Sequence, residues 1–185
     1  MFFTKRSRRR SRREPALPQD EPAVLTGAQD LIRFVAAGFM EPAVLRFGVE
    51  AGFLTASDVV SIELARYGAG EIEENSAEET IALLLSHDLE RVASLLDAAV
   101  RDSTPVSSPL DLWAYVGLAR INAVWASFND PWDAVETHLR TLGYPENYTH
   151  FLRYTEAEKG EPTGLPHMKR RLEAFLTRCQ LQWGP

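Results

Sequence analysis

The stretch SPLDLWAYVGLARINAVWASF, residues 108–128, decides the fold class of this chain. It begins with Ser108, a residue type that caps helices. Pro109 follows at the first helical position, where its missing N–H has no intrahelical partner to lose. Beyond this start, apolar side chains cover almost every side of the predicted helix. Because a helix that is apolar all round is buried, we expect this one at the centre of a helical core.

Shorter amphipathic helices are predicted on both sides of this central helix, because apolar residues recur there at spacings of three and four. Thr55 with Asp58, and Ser76 with Glu79, have the spacing of a capping box, and Gly143 is a stop signal. No strand-like alternation persists along the chain. The sequence therefore predicts an all-α fold, a bundle of about eight short helices in packed helical hairpins.

Two of the predicted helices have an expected extent that the structure can test. The segment 26–40 places four apolar residues on one helical stripe, namely Leu31, Phe34, Val35 and Phe39. The central helix is expected to remain apolar from Leu112 to Phe128. A further short helix is expected to begin at Pro145.

Charge divides the chain into two parts. The 185 residues carry a formal net charge of −6, yet residues 1–13 hold seven basic residues and no acidic one. Residues 14–185 therefore carry −13, the difference between −6 and +7. Polar, proline-rich sequence continues to about residue 25. We predict a disordered basic arm, residues 1–25, followed by a single helical domain, residues 26–185.

The basic arm has several possible roles that the sequence leaves open. Its arginines are candidates for weak, non-specific phosphate contact, namely Arg8, Arg9, Arg10, Arg12 and Arg13. No aromatic residue is interleaved with them to stack on a base. With Phe2 and Phe3 the arm is also suited to an anionic membrane surface, and it is equally able to fold back on its own acidic domain.

The composition is that of a cytoplasmic protein. No apolar run approaches the roughly 20 residues that a transmembrane helix needs. The sequence after the paired arginines is polar, unlike the apolar stretch of an export signal. The only cysteine, Cys179, excludes an intramolecular disulfide and fits a reducing compartment.

No residue pattern indicates catalysis, a cofactor or a metal. The chain has four histidines, namely His87, His138, His150 and His167, and none has the spacing of a zinc site. Cys179 lies on the apolar stripe of the last predicted helix, where cysteine behaves as a small hydrophobe. No nucleophile elbow, phosphate-binding loop or dinucleotide motif occurs. We therefore predict a protein that is not an enzyme and binds no cofactor.

Arg120 lies within the apolar central helix, beside Asn122. A buried arginine needs a partner, because an unpaired buried charge is very costly. Arg120 is either a ligand-binding residue for a carboxylate or phosphate, or one half of a structural ion pair. The second interpretation is favoured.

Two groups of residues are candidates for binding another protein. The densest acidic stretch, EIEENSAEE, contains five glutamates, namely Glu71, Glu73, Glu74, Glu78 and Glu79. Each of them alone is compatible with a solvated loop and helix start. Three aromatic residues near the predicted helix at Pro145 are candidate interface anchors, namely Tyr144, Tyr148 and Tyr154. Trp132, by contrast, is expected in the core.

Two stretches of the sequence resemble a known family. LRFGVEAGFLTASDVVSIELARY, residues 45–67, combines a Phe-Gly pair with a later glycine and a Thr-x-x-Asp start. DPWDAVETHLRTLGYPENYTHFLRY, residues 130–154, follows far downstream. Together they resemble the DUF2247 family of small bacterial proteins, over Leu45 to Tyr154. The basic arm lies outside this likeness, and after Tyr154 the chain has TEAEKG in place of the Met-Pro continuation expected from the family.

The resemblance implies a function but no catalytic residues. Proteins of this type look like immunity proteins of bacterial toxin systems, which bind and block a cognate toxin, often a nuclease. The acidic domain suits a basic partner of that kind. We therefore expect a non-enzymatic acidic binding protein that occludes a basic toxin. The alternative is a nucleic-acid-associated protein tethered through its basic arm.

Overall fold

The computed structural model describes residues 27–104, 107–154 and 164–185. Across these ranges the chain is helical and contains no strand. The α-helices are α1 (Ala28–Phe34), α2 (Pro42–Glu50), α3 (Ala56–Gly68), α4 (Ala77–Ala82), α5 (Val92–Asp102), α6 (Pro109–Ala123), α7 (Pro131–Thr141) and α8 (Leu165–Trp183). The predicted all-α bundle of about eight short helices is confirmed. The basic arm, residues 1–25, lies outside the described residues.

Helix α6 is the central helix, as its sequence predicts. The side chain of Ser108 accepts the N–H of Asp111 at 3.3 Å, and every residue from Leu112 to Ala119 is buried. Helices α1, α2, α7 and α8 all pack against it. Its apolar side chains therefore meet neighbours in every direction, which explains why the sequence shows no polar face.

The central helix is shorter than the expected span from Leu112 to Phe128. It ends at Ala123, and a separate 3₁₀ turn covers Trp125–Ser127. Trp125 leaves the helix to pack its ring edge-on against Trp132, with 5.2 Å between the ring centroids. The chain thus makes the tertiary contact between the two indole rings where the sequence predicted that α6 would continue.

The first helix is also shorter than expected. Helix α1 ends at Phe34, and Val35 has extended backbone angles. The next amide, that of Ala36, donates to the carbonyl of Trp183 at 2.7 Å. This bond ties the end of α1 to the end of α8, and Phe39 then lies in a separate 3₁₀ turn, Ala37–Phe39.

Helices α3, α4 and α5 form packed helical hairpins away from α6. The capping box of α3 is complete, since Thr55 accepts the N–H of Asp58 and the Asp58 carboxylate accepts the N–H of Thr55. At α4 only half of the expected box forms. Ser76 accepts the N–H of Glu79 at 3.0 Å, whereas the Glu79 carboxylate accepts from Asn75 instead.

Two glycines let neighbouring helices approach α6 closely. A Cβ atom on Gly48 would lie 2.5 Å from the ring of Trp113, and Trp113 Nε1 donates to the carbonyl of Val44 at 2.9 Å. A Cβ atom on Gly117 would overlap His138 of α7. The close packing of α2 on Trp113 therefore explains the glycine of the Phe-Gly pair, Gly48.

Within the described ranges, no helix is both long enough and apolar enough to cross a membrane. Cys179 lies on the buried side of α8, as its place on the apolar stripe predicts. Burial raises the pKa of its thiol to about 11, so the thiol remains protonated at neutral pH.

Candidate partner-binding surfaces

The acidic turn comprises Glu71, Glu73, Glu74, Glu78 and Glu79, which connect the end of α3 to the first turn of α4. Glu71, Glu73 and Glu74 are exposed. In the part of the chain that the structure describes, Glu73 and Glu74 have no ion-pair partner. Three exposed carboxylates therefore lie on one short connection, and those of Glu73 and Glu74 have no ion pair with another described residue.

Two members of the acidic turn have structural roles. Glu78 and Glu79 lie in the first turn of α4, where a negative charge favours the helix dipole. The Glu79 carboxylate accepts the N–H of Asn75 at 2.5 Å, and Asn75 has a left-handed backbone with φ of 63°. These contacts fix the shape of the turn and leave the other three glutamates to face solvent.

A buried ion pair lies beneath the acidic turn. Arg66 donates to both carboxylate oxygens of Glu63, at 2.9 and 3.1 Å, and Glu63 is fully buried. The same guanidinium lies 3.8 Å from Glu78 and 3.9 Å from Glu71. Burial raises the pKa of Glu63 to about 7, with Arg66 acting in the opposite direction. One arginine thus faces several carboxylates, and the surface above it remains negative.

Tyr148 does not belong to the surface, and its expected role as an interface anchor is wrong. It lies in a 3₁₀ turn, Glu146–Phe151, and only 4 % of it is exposed. Its hydroxyl donates to Asp111 of α6 at 2.7 Å, and its ring meets Phe175 of α8 edge-on. Burial raises its pKa, with the hydrogen bond to Asp111 acting in the same direction.

Tyr144 and Tyr154 remain candidates, because both are exposed and they line one cavity. This tyrosine cavity has a volume of about 310 Å³ and is completed by Glu136 and Leu152. Tyr154 is 82 % exposed and Tyr144 is 41 % exposed. Two aromatic rings with a carboxylate beside them suit a long side chain with a polar tip.

The backbone at Tyr144 is strained, which supports a role for its position. Tyr144 has φ of 53°, a left-handed value that is unusual for a bulky residue. The residue before it, Gly143, is also left-handed, with φ of 78°. Its hydroxyl accepts from Arg140 Nε at 2.9 Å, while Arg140 Nη2 lies 3.4 Å from Glu136. The end of α7 therefore holds this ring at the mouth of the tyrosine cavity.

Arg120 forms a structural ion pair rather than an open anion site. Its Nε lies 3.7 Å from the Asp30 carboxylate of α1, and its side chain is 33 % exposed. Asn122 accepts from Lys169 of α8. Arg120 and Asn122 thus each join α6 to a neighbouring helix, and the ion pair of Arg120 agrees with the favoured interpretation from sequence.

The structure adds residues that the sequence interpretation missed. Glu63 and Arg66 are spaced three apart on the same buried stripe of α3 as Val59 and Ile62, and that spacing is a visible signal. Glu136 has no comparable signal, because its place in the tyrosine cavity depends on the fold. Among the described residues, no group of His, Cys, Asp and Glu is arranged to hold a metal ion. The arginines of the basic arm lie outside the described ranges.

Comparisons with known proteins identify the family. Residues 32–180 match a family model described as "Uncharacterized protein conserved in bacteria (DUF2247)". The match extends beyond the expected 45–154 in both directions and includes every helix from α2 to α7. Neither the curated proteins nor the solved structures gave a match. Because the match covers most of its length, the chain belongs to the DUF2247 family.

Proposed function

We propose that this protein is a non-enzymatic binding protein of the immunity type, which binds a basic toxin and covers the toxin's functional surface. The observation that carries the proposal is the acidic turn. Three exposed carboxylates lie there on one connection whose shape is fixed by a capped helix and a buried ion pair. A fixed array of this kind needs little ordering when it binds, so less free energy is lost on association.

The charge distribution supports a basic partner. Residues 27–104 contain fourteen acidic and five basic residues, a net charge of −9, and the acidic turn lies in this part. A surface of one sign steers a partner of the opposite sign and raises the rate of association. Toxins that act on nucleic acids are basic at their phosphate-binding surface, so they fit this description.

The mechanism that follows is occlusion. The exposed glutamates pair with lysine and arginine side chains that the toxin uses to hold phosphate. The tyrosine cavity supplies the anchor that charge alone does not provide, since aromatic residues in pockets contribute most of the binding free energy of many interfaces. Tyr154 is the principal candidate because 82 % of it is exposed.

The proposal is tested by capture and rescue. The full chain is immobilised, and nuclease-treated lysate of the source bacterium is passed over it at moderate salt. The triple variant Glu71→Gln/Glu73→Gln/Glu74→Gln is compared with a control in which three other exposed carboxylates are neutralised, namely Glu90→Gln, Asp102→Asn and Glu146→Gln. We expect one basic protein at stoichiometric amounts on the wild type and on the control, and little on the acidic-turn variant.

Rescue separates inhibition from simple binding. The captured protein is expressed alone and together with this chain, and growth is recorded. Growth arrest that this chain relieves supports the proposal. Capture without growth arrest, or equal capture by both triple variants, contradicts it. The alternative, nucleic-acid tethering through Arg8 to Arg13, predicts instead that the captured material disappears after nuclease treatment.

A further inference from the structure

Helix α3 presents to solvent a face without a charged residue. The exposed residues of this α3 face are Ser57, Ser61, Leu64, Ala65, Tyr67 and Gly68. The three charged residues of the helix lie on its other sides, since Glu63 is buried and Asp58 and Arg66 are half-buried. Covering an uncharged face of this kind removes apolar surface from water, which is favourable.

Large apolar side chains are exposed on the α3 face and next to it. Leu64 and Tyr67 are both exposed and lie three residues apart, so they are neighbours on the helix surface. Leu83 and Leu85 are also exposed and follow directly after α4, which packs on α3. Exposed apolar residues that concentrate on one part of a protein indicate an interaction surface.

The acidic turn begins where the α3 face ends. Residues 56–79 contain seven acidic residues and one basic residue, a formal net charge of −6. Glu73 and Glu74 are exposed and have no ion pair with another described residue. A segment that covers the α3 face and extends over this turn therefore needs apolar side chains together with several positive charges.

The basic arm of the same chain has this combination. Residues 1–13 contain Phe2 and Phe3, followed by seven basic residues and no acidic one, a charge of +7. Helix α8 does not attract such a segment, because residues 164–185 carry a net charge of +3. The charge of the arm is thus matched by that of the α3–α4 hairpin and opposed by that of α8.

The arm joins the domain at a point from which it can reach the α3 face. Gly27 lies beside the start of α3, since a Cβ atom at Gly27 would be 4.0 Å from the carbonyl oxygen of Phe53. From there α3 extends over 13 residues to the acidic turn, a length of about 20 Å. The connecting residues, 14–26, span at most about 43 Å when fully extended. The connection is therefore long enough to place residues 1–13 along the whole α3 face.

We propose that residues 1–13 bind the α3 face of their own domain, with the two phenylalanines on Leu64 and Tyr67 and the basic side chains at the acidic turn. The tether gives the arm an effective concentration in the millimolar range, so a separate basic protein has to displace it. The arm then excludes weak basic partners from the acidic turn. This contact is independent of the proposed toxin-binding function.

The test is paramagnetic relaxation enhancement measured by NMR in the full chain. Ser7→Cys places a nitroxide label among the basic residues without removing a charge, and the buried thiol of Cys179 remains unlabelled. We expect the backbone amides of residues 57–74 to broaden and those of residues 165–183 to stay sharp. Raising the ionic strength from about 0.15 M to about 1 M shortens the screening length from about 8 Å to about 3 Å, so the broadening should decrease.

Two sets of charge substitutions test the acidic turn in the labelled chain. Glu71→Gln/Glu73→Gln/Glu74→Gln is expected to abolish the broadening, because it removes the exposed carboxylates that face the arm. The control set neutralises three other exposed carboxylates and should retain the broadening, namely Glu90→Gln, Asp102→Asn and Glu146→Gln.

The apolar part of the contact is tested from both sides. Phe2→Ser/Phe3→Ser and Leu64→Ser should each lower the ratio of bound to free arm about tenfold, the effect of losing a large apolar contact. The phenylalanine variant leaves every residue of the helical domain unchanged, so its effect does not depend on folding. Leu181→Ser is the matched control for Leu64→Ser, since Leu181 is an exposed leucine of α8, and it should have no effect.

A mixed sample distinguishes this arrangement from binding between two copies. Spin-labelled chain without isotope label is mixed with isotope-labelled chain that carries no spin label. We expect no broadening in the mixture. The proposal is overturned if the mixture broadens as strongly as the labelled chain, if residues 57–74 do not broaden in the labelled chain, or if both sets of charge substitutions have equal effects.

Discussion

The imidazole of His138 packs directly on Gly117, in the space that a Cβ atom at position 117 would fill. Nε2 of His138 lies 3.1 Å from the carbonyl oxygen of Trp113, and the residue is 2 % exposed. Because a carbonyl oxygen only accepts, Nε2 carries the proton, and Nδ1 is left without a hydrogen-bond partner among the described residues. The contact between α6 and α7 thus requires glycine at position 117, which has no Cβ atom, and a neutral imidazole at His138.

Gly117→Ala is expected to destabilise the fold strongly. Its methyl group overlaps His138, which is held between Trp113 and the ring of Phe53, 5.7 Å away, so the helices must separate. We expect a loss of about 1 to 3 kcal/mol in the free energy of unfolding, the usual range for overpacking a core. Urea denaturation followed by circular dichroism measures it.

Gly68→Ala is the matched control for that substitution. Gly68 is also helical, but a Cβ atom there would meet nothing within 4 Å. We expect stability to remain unchanged or to rise by up to about 1 kcal/mol, because alanine is the better helix former. Equal losses at both positions would show that backbone freedom, and not the contact with His138, determines the effect.

His138 also predicts a loss of stability in mild acid. Burial lowers its pKa from 6.5 to about 4, although its bond to the Trp113 carbonyl opposes this. Between pH 6.5 and 4 the unfolded chain binds a proton that the folded chain does not bind. The contribution of His138 to stability is therefore complete above pH 6.5 and is lost as the pH falls towards 4, by about 3 kcal/mol at most.

The measurement is the free energy of unfolding of the wild type and of His138→Gln at several pH values between 7 and 4. Glutamine keeps a donor for the Trp113 carbonyl but does not titrate. We expect the wild type to lose stability relative to the variant as the pH falls. Parallel curves would mean that the imidazole becomes protonated without cost in the folded protein.

For Glu63 we predict the opposite pH dependence of stability: its contribution decreases as the pH rises. Burial raises its pKa from 4.5 to about 7, so the folded chain retains a proton that the unfolded chain has released. Its contribution to stability is complete below pH 4.5 and is lost as the pH rises through 7. In Glu63→Gln this dependence is absent. The wild type should therefore lose stability relative to Glu63→Gln as the pH rises from 4.5 to 7.5, by about 3 kcal/mol at most.

The ion pair with Arg66 offers a second readout for Glu63. If the contact of Arg66 with both carboxylate oxygens outweighs burial, Glu63 is ionised from pH 4.5 to 7.5. The stabilities of the wild type and of Glu63→Gln then change in parallel with pH. Carbon-13 NMR of the glutamate carboxyl carbons then distinguishes the cases directly, since the chemical shift of Glu63 changes near pH 7 only if its pKa is raised.

The features that could be predicted from the sequence are those fixed by local signals. Ser108 and Pro109 define the start of α6, and the apolar residues that follow define its burial. Thr55 with Asp58 is a capping box because both groups lie within one turn. Such signals involve residues close in the chain, so no knowledge of the rest of the fold is needed to interpret them.

The features that could not be predicted depend on which surfaces meet. Tyr148 lies in a 3₁₀ turn, whose residues repeat every 3.0 and not every 3.6 positions, so the helical pattern does not give its direction. Its burial follows from α6 and α8, which lie 37 and 27 residues away at Asp111 and Phe175. The end of α1 is likewise set by a distant carbonyl, that of Trp183.

The three tyrosines of the predicted interface should separate into two classes. Tyr148→Phe removes only the hydroxyl that donates to Asp111, so we expect a loss of about 1 to 2 kcal/mol in stability and no change in binding of the captured basic protein. Tyr154→Ala removes a ring that is 82 % exposed. It should change stability by less than about 0.5 kcal/mol and weaken partner binding at least tenfold if the ring is an interface anchor.

Tyr144 tests whether the strained backbone serves the interface. Tyr144→Gly relieves the cost of φ at 53°, because glycine adopts that conformation freely, while it removes the ring from the tyrosine cavity. We expect the free energy of unfolding to stay equal or to rise slightly and partner binding to weaken. A variant that binds as well as the wild type would show that the ring makes no contact with the partner, and its strained position would then have to be explained by the hydrogen bond from Arg140 alone.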